Sequence, residues 1–420
     1  MGSRSLTGVR GLAALFVVGL ALRPQLTVIG PVLPRIQDDV AIVHAAAGLL
    51  TGLPLLCMGL AAFVTSSIVG RLGTSATVGG ALALVAVAGL ARAVAPTAAP
   101  IFIATLFIGI GIGVGGASVP VFVKERFGGR PAGATGTHVM AIILGSVLVA
   151  STAVPLAQGL GSWRWPLAIA SLGTIAAAAG WLVLTARAVA APPPATRPRG
   201  VPWRSQTTWL LVAIFSLQSL LFFGLATWLP AVYIERGWPE TEAGNLVAVM
   251  IAFGLPGSLG FGWLADKVGS RRQYLVGCAI ATLVCCLGFL LAPGAALLWV
   301  AVSGVALGAL FSLALTLPLD ASAQAADVGP LTGLMLGVGY LISATGPVVT
   351  GAARDLVGSF AASLGLLAVT AAVLVGAAML LSDARLSAGR SAGRRAGPGA
   401  GSAAHPGPGG PEKGRPRPRL

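Results

Sequence analysis

The chain has 420 residues, 56% of them hydrophobic and only 9% charged, with a mean hydropathy of +0.89. Soluble globular domains carry about 25% charged residues, so this composition excludes one and points to a bilayer. The formal net charge of +15 does not indicate a nucleic-acid partner, because the basic residues sit in connecting segments and the tail, with no aromatic-interleaved basic face.

Apolar stretches recur at 9–33, 46–70, 76–95, 99–122, 133–158 and 165–187, and again at 207–233, 243–265, 273–292, 295–318, 330–352 and 359–381. Each is long enough to cross a hydrocarbon core about 30 Å thick. The expected fold is an all-α membrane protein of twelve transmembrane helices in two six-helix bundles, 9–187 and 207–382. Residues 1–8 form a short N-terminal tail. Prolines and arginines make 188–206 a basic linker, and the Gly/Ala/Pro/Arg-rich 383–420 cannot bury a core and reads as a disordered tail.

The first span carries the deepest charge. Arg23 is the one charged residue between Gly11 and Leu33. At ~1.5 Å per helical residue it lies ~20 Å from Arg10 and ~18 Å from Arg35. A cation at that depth costs on the order of 3 kcal/mol, and it persists where it faces protein, water or a ligand rather than lipid. Gln25 and Thr27 lie beside it, while Pro24 removes a backbone donor, which suits a broken helix lining a cavity. Arg23 therefore reads as the electrostatic anchor of a solute site, with Gln25 and Thr27 as neighbours. The alternative is a structural cation held by carbonyls of adjacent helices.

In the fourth span, the glycines from Gly109 to Gly116 lack a preceding strand and an acidic ribose partner, so they read as helix packing rather than a dinucleotide loop. His138, near one end of the fifth span, is the candidate proton carrier, against a histidine with no function. Gln218 and Trp228 in the seventh span and Tyr340 in the eleventh are further solute-site candidates; Trp228 could equally be an interfacial anchor. The four cysteines all fall inside apolar runs without ligand spacing, and neither metal nor cofactor is expected. All twelve acidic residues lie in loops, at helix ends or in the tail, so no carboxylate is expected at mid-depth and the cavity should be net positive.

The halves read as copies. Leu33-Pro34 matches Leu229-Pro230, Arg71-Leu72-Gly73 matches Lys267-Val268-Gly269, and Gly161-Ser162-Trp163 matches Gly358-Ser359-Phe360, at offsets of 196, 196 and 197. With the N-terminus cytoplasmic, inside segments collect 21 of the 27 Lys and Arg and outside segments five. That asymmetry, with an even span count, puts both termini in the cytoplasm.

After the eighth span the chain reads GWLADKVGSRR from Gly262 to Arg272. This loop resembles the G-x-x-x-D-[RK]-x-G-x-[RK]-[RK] motif of the major facilitator superfamily. The resemblance implies a gating latch made by Gly262, Asp266, Lys267, Gly269, Arg271 and Arg272. The equivalent first-half loop, Gly70 to Gly73, lacks the acid and the basic pair. The stretches LRPQLTVIGPVLP (22–34), QSLLFFGLATWLP (218–230) and GVGYLISATGP (337–347) resemble the cyanate/2-nitroimidazole transporter branch of that superfamily. What the resemblance implies is a secondary carrier in the plasma membrane, working by alternating access; Arg23 and the missing mid-depth carboxylates point to a small anionic or polar nitrogenous solute, such as a cyanate-like compound. A coupled proton and a monomeric state go with that expectation. The competing readings are an exporter of neutral drug-like compounds and, from another class, a membrane-embedded enzyme or sensor, for which no nucleophile, acid/base pair or soluble module is visible.

Overall fold

The computed structural model describes the backbone of residues 2–127, 131–185, 205–268, 271–322 and 325–382. Within these it describes all side chains except those of 2–7, 131–133, 262–263, 265–268, 319 and 325–327. Fifteen α-helices and one 3-10 turn follow in order: α1 (Gly2–Leu22), α2 (Pro24–Thr27), α3 (Ile29–Val40), α4 (His44–Leu72), α5 (Thr74–Val94), α6 (Ala98–Phe127), α7 (Pro131–Gly159), α8 (Arg164–Thr185), α9 (Gln206–Glu235), α10 (Glu240–Val268), α11 (Arg271–Leu291), a turn at Pro293–Ala295, α12 (Ala296–Ala321), α13 (Ala325–Ser343), α14 (Thr345–Val357) and α15 (Phe360–Leu380). Among the described residues there is no strand. Among the described residues the helices make twelve apolar spans: α1–α3 form the first, the Pro293–Ala295 turn with α12 the tenth, α13–α14 the eleventh, and every other span is one helix.

The two interrupted spans break for the same reason. Pro24 has no N–H to offer the Leu20 carbonyl, and Pro347 none for Ser343, so each helix yields just before its proline. A glycine from another helix closes over each break. A Cβ on Gly145 of α7 would lie 2.7 Å from the Leu20 carbonyl oxygen, and one on Gly52 of α4 would lie 2.6 Å from that of Ala344.

In the first half α1 packs on α7 and α8, α5 on α6 and α8, and α4 on α6; in the second, α10 and α11 pack on α12, and α9 and α11 on α15. The halves meet through α4 against α13 and α14, α7 against α10, and α3 against α9 and α10. With twelve spans, Gly2 at the start of α1 and Leu380 at the end of α15 lie at one end of the bundle, here the terminal end, opposite a distal end. One apolar core is continuous across the halves, joining Ile29, Leu33, Leu50 and Leu55 to Leu221, Leu225 and Trp228. A second, including Leu15, Leu22, Val85, Ile112 and Trp181, belongs to the first half alone. Outward-facing Leu144, Leu148, Leu172, Val183, Leu298 and Val373 are exposed, as side chains that meet lipid should be.

The repeat read from the sequence has a geometric counterpart. Gly161 and Gly358, with φ of 72° and 79°, turn the chain before α8 and α15, and the aromatic two residues on (Trp163, Phe360) is buried in each case. The helices overrun the expected limits: the first span continues to Val40 rather than 33, the eleventh to Val357 rather than 352, and α1 starts at Gly2, inside the expected tail. Hydropathy stops at the hydrocarbon edge, whereas these helices stop where a turn residue such as left-handed Ala41 (φ 52°) ends them. The expected linker up to residue 204 and the tail 383–420 lie outside the described residues.

Candidate functional site

Arg23 sits at the first break, half-buried, where the first, seventh and eleventh spans converge. Its Nη2 donates to the Tyr340 hydroxyl at 3.3 Å, and its guanidinium carbon lies 5.9 Å from the Phe223 ring centre. Tyr340, 8% exposed, meets Phe215 edge-on at 5.2 Å. The cluster therefore joins both halves. Among the described residues no carboxylate forms an ion pair with Arg23. A guanidinium has five N–H donors, so most remain for a guest, and the Tyr340 hydroxyl keeps its own proton to donate. A cation, a phenol and two aromatic rings suit a small anion or a flat, electron-rich molecule.

Thr27 is on the same segment, half-buried, its hydroxyl turned back at 3.5 and 3.4 Å to the carbonyls of Arg23 and Pro24. The other sequence candidates lie elsewhere. Gln25 is fully buried inside the first half, where Nε2 donates to Ser171 Oγ at 3.0 Å and Oε1 accepts from Arg92 at 2.9 Å. Gln218 donates to the Leu307 carbonyl at 3.3 Å and accepts from Ser219 at 3.1 Å, between α9 and α12. Trp228 is 2% exposed, and its Nε1 donates to the Pro347 carbonyl at 2.8 Å. His138 is buried, its Nδ1 donating to the Leu15 carbonyl at 3.0 Å. Of the expected latch, Gly269 and the side-chain positions of Gly262, Asp266 and Lys267 lie outside the described residues. Arg271 pairs with Asp320 at 2.8 Å and Arg272 donates to the Met379 carbonyl at 3.1 Å.

Distal to Arg23 the halves are sealed. Thr51 and Thr227 share a buried hydrogen bond of 2.9 Å. Arg35 Nε donates to Glu240 at 2.9 Å, and Gln158 bridges Glu240 and Thr241. Val43, at the N-cap of α4, has no side-chain acceptor for the helix's unpaired N–H groups. Asp355 of the other half supplies them: its oxygens accept from the N–H of His44 (3.1 Å) and Ala45 (2.8 Å), and from the His44 ring at 2.7 Å. That ring in turn packs against Trp228 and Phe360.

Sequence reading missed Phe215, Phe223, Arg92 and Asp355. Phe223 lies within the 218–230 stretch, but one apolar residue among many carries no signal of what it faces. Arg92 is three residues from its expected span end and reads as an interfacial charge, yet it is fully buried. A cavity of about 500 Å³ between α10, α11 and α12, lined by Phe253, Tyr274 and Val305, is apolar and apart from Arg23.

Twelve apolar spans in two halves, with a polar cluster where the halves meet, define a multi-pass membrane protein, and the comparisons with known proteins make its class that of a membrane transporter. Residues 15–347 match the Major Facilitator Superfamily. The chain is 32% identical over 350 residues to the cyanate transport protein CynX of Escherichia coli, covering 83% of this chain and 91% of that one. It is 28% identical to the 2-nitroimidazole transporter of the same organism (84% and 90% covered), and 26% identical to the probable nitrate/nitrite transporter NarK2 of Mycobacterium tuberculosis (87% and 94%). Among solved structures, an inward-facing, unoccupied bacterial homologue of the human lysosomal transporter Spinster superposes with a TM-score of 0.71 at 16% identity, covering 93% of this chain and 98% of that one. The nucleoside transporter NupG does so with 0.70 at 12% identity, covering 88% and 99%. The chain belongs to the major facilitator superfamily.

Proposed function

We propose that the protein is a secondary carrier that moves a small anionic or polar nitrogenous solute, cyanate-like in size and charge, by alternating access. The observation that carries this reading is Arg23, a half-buried cation between the halves, bonded to Tyr340 and without an acidic partner among the described residues. A fixed positive charge in a low-dielectric cleft attracts anions and repels organic cations. Three similar proteins named for cyanate, 2-nitroimidazole and nitrate/nitrite transport agree with that solute class. Thr27 is the third residue assigned to the site; Gln25, Gln218 and Trp228 act on it through packing.

The cycle follows from the seal. The distal contacts of Arg35, His44 and Thr51 with Glu240, Asp355 and Thr227 close the distal side, and their rupture, with closure of the terminal end, would expose Arg23 to the distal side. The loop from Gly262 to Arg272 is assigned the terminal-side latch by its family resemblance, with a plasma-membrane location and cytoplasmic termini. The protein is taken as a monomer, and His138, if a proton is coupled, as its carrier. A second reading, export of neutral nitroimidazole-like compounds, draws on Phe215, Phe223 and Tyr340, whose rings would stack on a flat heterocycle. Counterflow in proteoliposomes tests both: nitrate and cyanate uptake that depends on Arg23 supports the first, while transport of 2-nitroimidazole alone, unchanged in Arg23→Ala, overturns it for the second.

A further inference from the structure

Arg92, on α5, is 0% exposed. Its Nη2 donates both to the backbone carbonyl of Gln25, at 3.1 Å, and to Gln25 Oε1, at 2.9 Å. The Gln25 amide is tied at its other end to Ser171 Oγ (3.0 Å), which donates to the Leu167 carbonyl at 2.7 Å. One turn before Arg92, Gly89 leaves room for the amide: a Cβ there would lie 3.1 and 3.2 Å from the two Gln25 side-chain polar atoms. Gln25 belongs to α2, the four-residue helix between the irregular points at Arg23 and Val28. The carbonyls of a helix's last turn have no intrahelical partner; here those of Arg23 and Pro24 accept from the N–H groups of Leu26, Thr27 and Val28, and that of Gln25 accepts from Arg92. Arg92 Nε and Nη1 find no protein partner among the described residues, and no carboxylate pairs with this side chain there. A buried charge so incompletely satisfied is an expensive way to fill space, which makes packing alone a poor reason for it.

We propose that Arg92 is a positioning residue for Arg23: by clamping the Gln25 carbonyl and amide it fixes α2, and with it the direction in which the Arg23 side chain leaves the break toward Tyr340 and Phe223. The functional consequence rests on Arg23 being the solute anchor, whereas the clamp itself does not. The test uses the full-length protein in Arg92→Lys, Arg92→Gln and Ser171→Ala forms, with two readouts. The first is the rate at which phenylglyoxal modifies Arg23, read by peptide mass spectrometry. The second is the nitrate and cyanate concentration for half-maximal uptake into proteoliposomes, normalised to folded protein. Arg92→Gln should change Arg23 modification at least threefold and raise the half-saturating concentration about tenfold with little change in maximal rate. Arg92→Lys, which keeps one charged donor, should recover part of both effects, and Ser171→Ala should give a smaller change in the same direction. In an Arg23→Ala background Arg92→Gln should add no further loss of uptake. If Arg92→Gln fails to fold, Arg92→Lys and Ser171→Ala decide the matter. Altered Arg23 reactivity without any anion dependence of transport would retain the clamp and sink the solute reading. Unchanged Arg23 reactivity in every folded variant, or equal losses with and without Arg23, would overturn the proposal.

Discussion

The two ends of the interface between the halves are built differently. At the distal end the contacts are steric and polar together: Gly52 lets α4 lie against the Ala344 break, Thr51 meets Thr227, and Asp355 caps α4 across the interface. Toward the terminal end, α1 packs only on its own half among the pairs described above, and its core residues Leu15 and Leu22 join Val85 of α5 in a cluster that the second half does not enter. Arg23 lies at the boundary. The lesson is that a carrier's seal need not be strong to be specific. The half-exposed charges there contribute at most about 1 kcal/mol each, so they select how the halves meet, while the apolar core that Leu33, Leu50 and Trp228 share across the halves supplies most of the contact.

Replacing Arg23 strikes the boundary itself and should have the largest effect. Loss of a charged hydrogen-bond donor is worth about 1.5–3 kcal/mol, so Arg23→Ala should lower nitrate or cyanate flux about ten- to a hundredfold, with Arg23→Lys between it and wild type. Unaltered flux at equal folded amount would end the anchor role. Gly52→Val pushes side-chain atoms into a place where a Cβ already lies 2.6 Å from the Ala344 oxygen. Overpacking of about 1–3 kcal/mol should force the distal seal apart, seen as faster maleimide labelling of a cysteine placed at Thr227, which is buried in the sealed form. Labelling no faster than in the parent would mean that close helix approach does not hold this end.

Asp355→Asn tests the polar part of the same seal. It weakens the cap on α4 and the contact with His44, and about 1 kcal/mol should raise Thr227Cys labelling severalfold, less than Gly52→Val does. On the other side of the boundary, Tyr340→Phe removes one hydrogen bond of Arg23, worth about 0.5–1.5 kcal/mol. The half-saturating solute concentration should shift about three- to tenfold; if it moves further than with Arg23→Ala, the roles of the two residues have been reversed. Glu240→Gln should matter least. Its pair with Arg35 is about one-third exposed on each side, and such pairs contribute at most about 1 kcal/mol. Labelling and flux should change less than twofold, and less still in high salt.

The amino-acid sequence by itself determined the membrane class, the twelve spans and the superfamily, because hydropathy over about 20 residues and a spaced loop motif are properties of the chain read in order. It also marked Arg23, since depth within a span can be counted along a helix. It could not sort Gln25 from Thr27, two residues apart on one short segment: Gln25 turns into the first half toward Ser171 and Arg92, and Thr27 stays half-buried beside the site. Nor could it pair Val43's uncapped helix with Asp355, more than 300 positions away, or show that Arg92 near a span end is fully enclosed. Those outcomes depend on which face of each helix meets which neighbour. Where every face is apolar enough for lipid, the rotation of a helix leaves little trace in its hydropathy, and only the packed bundle decides it.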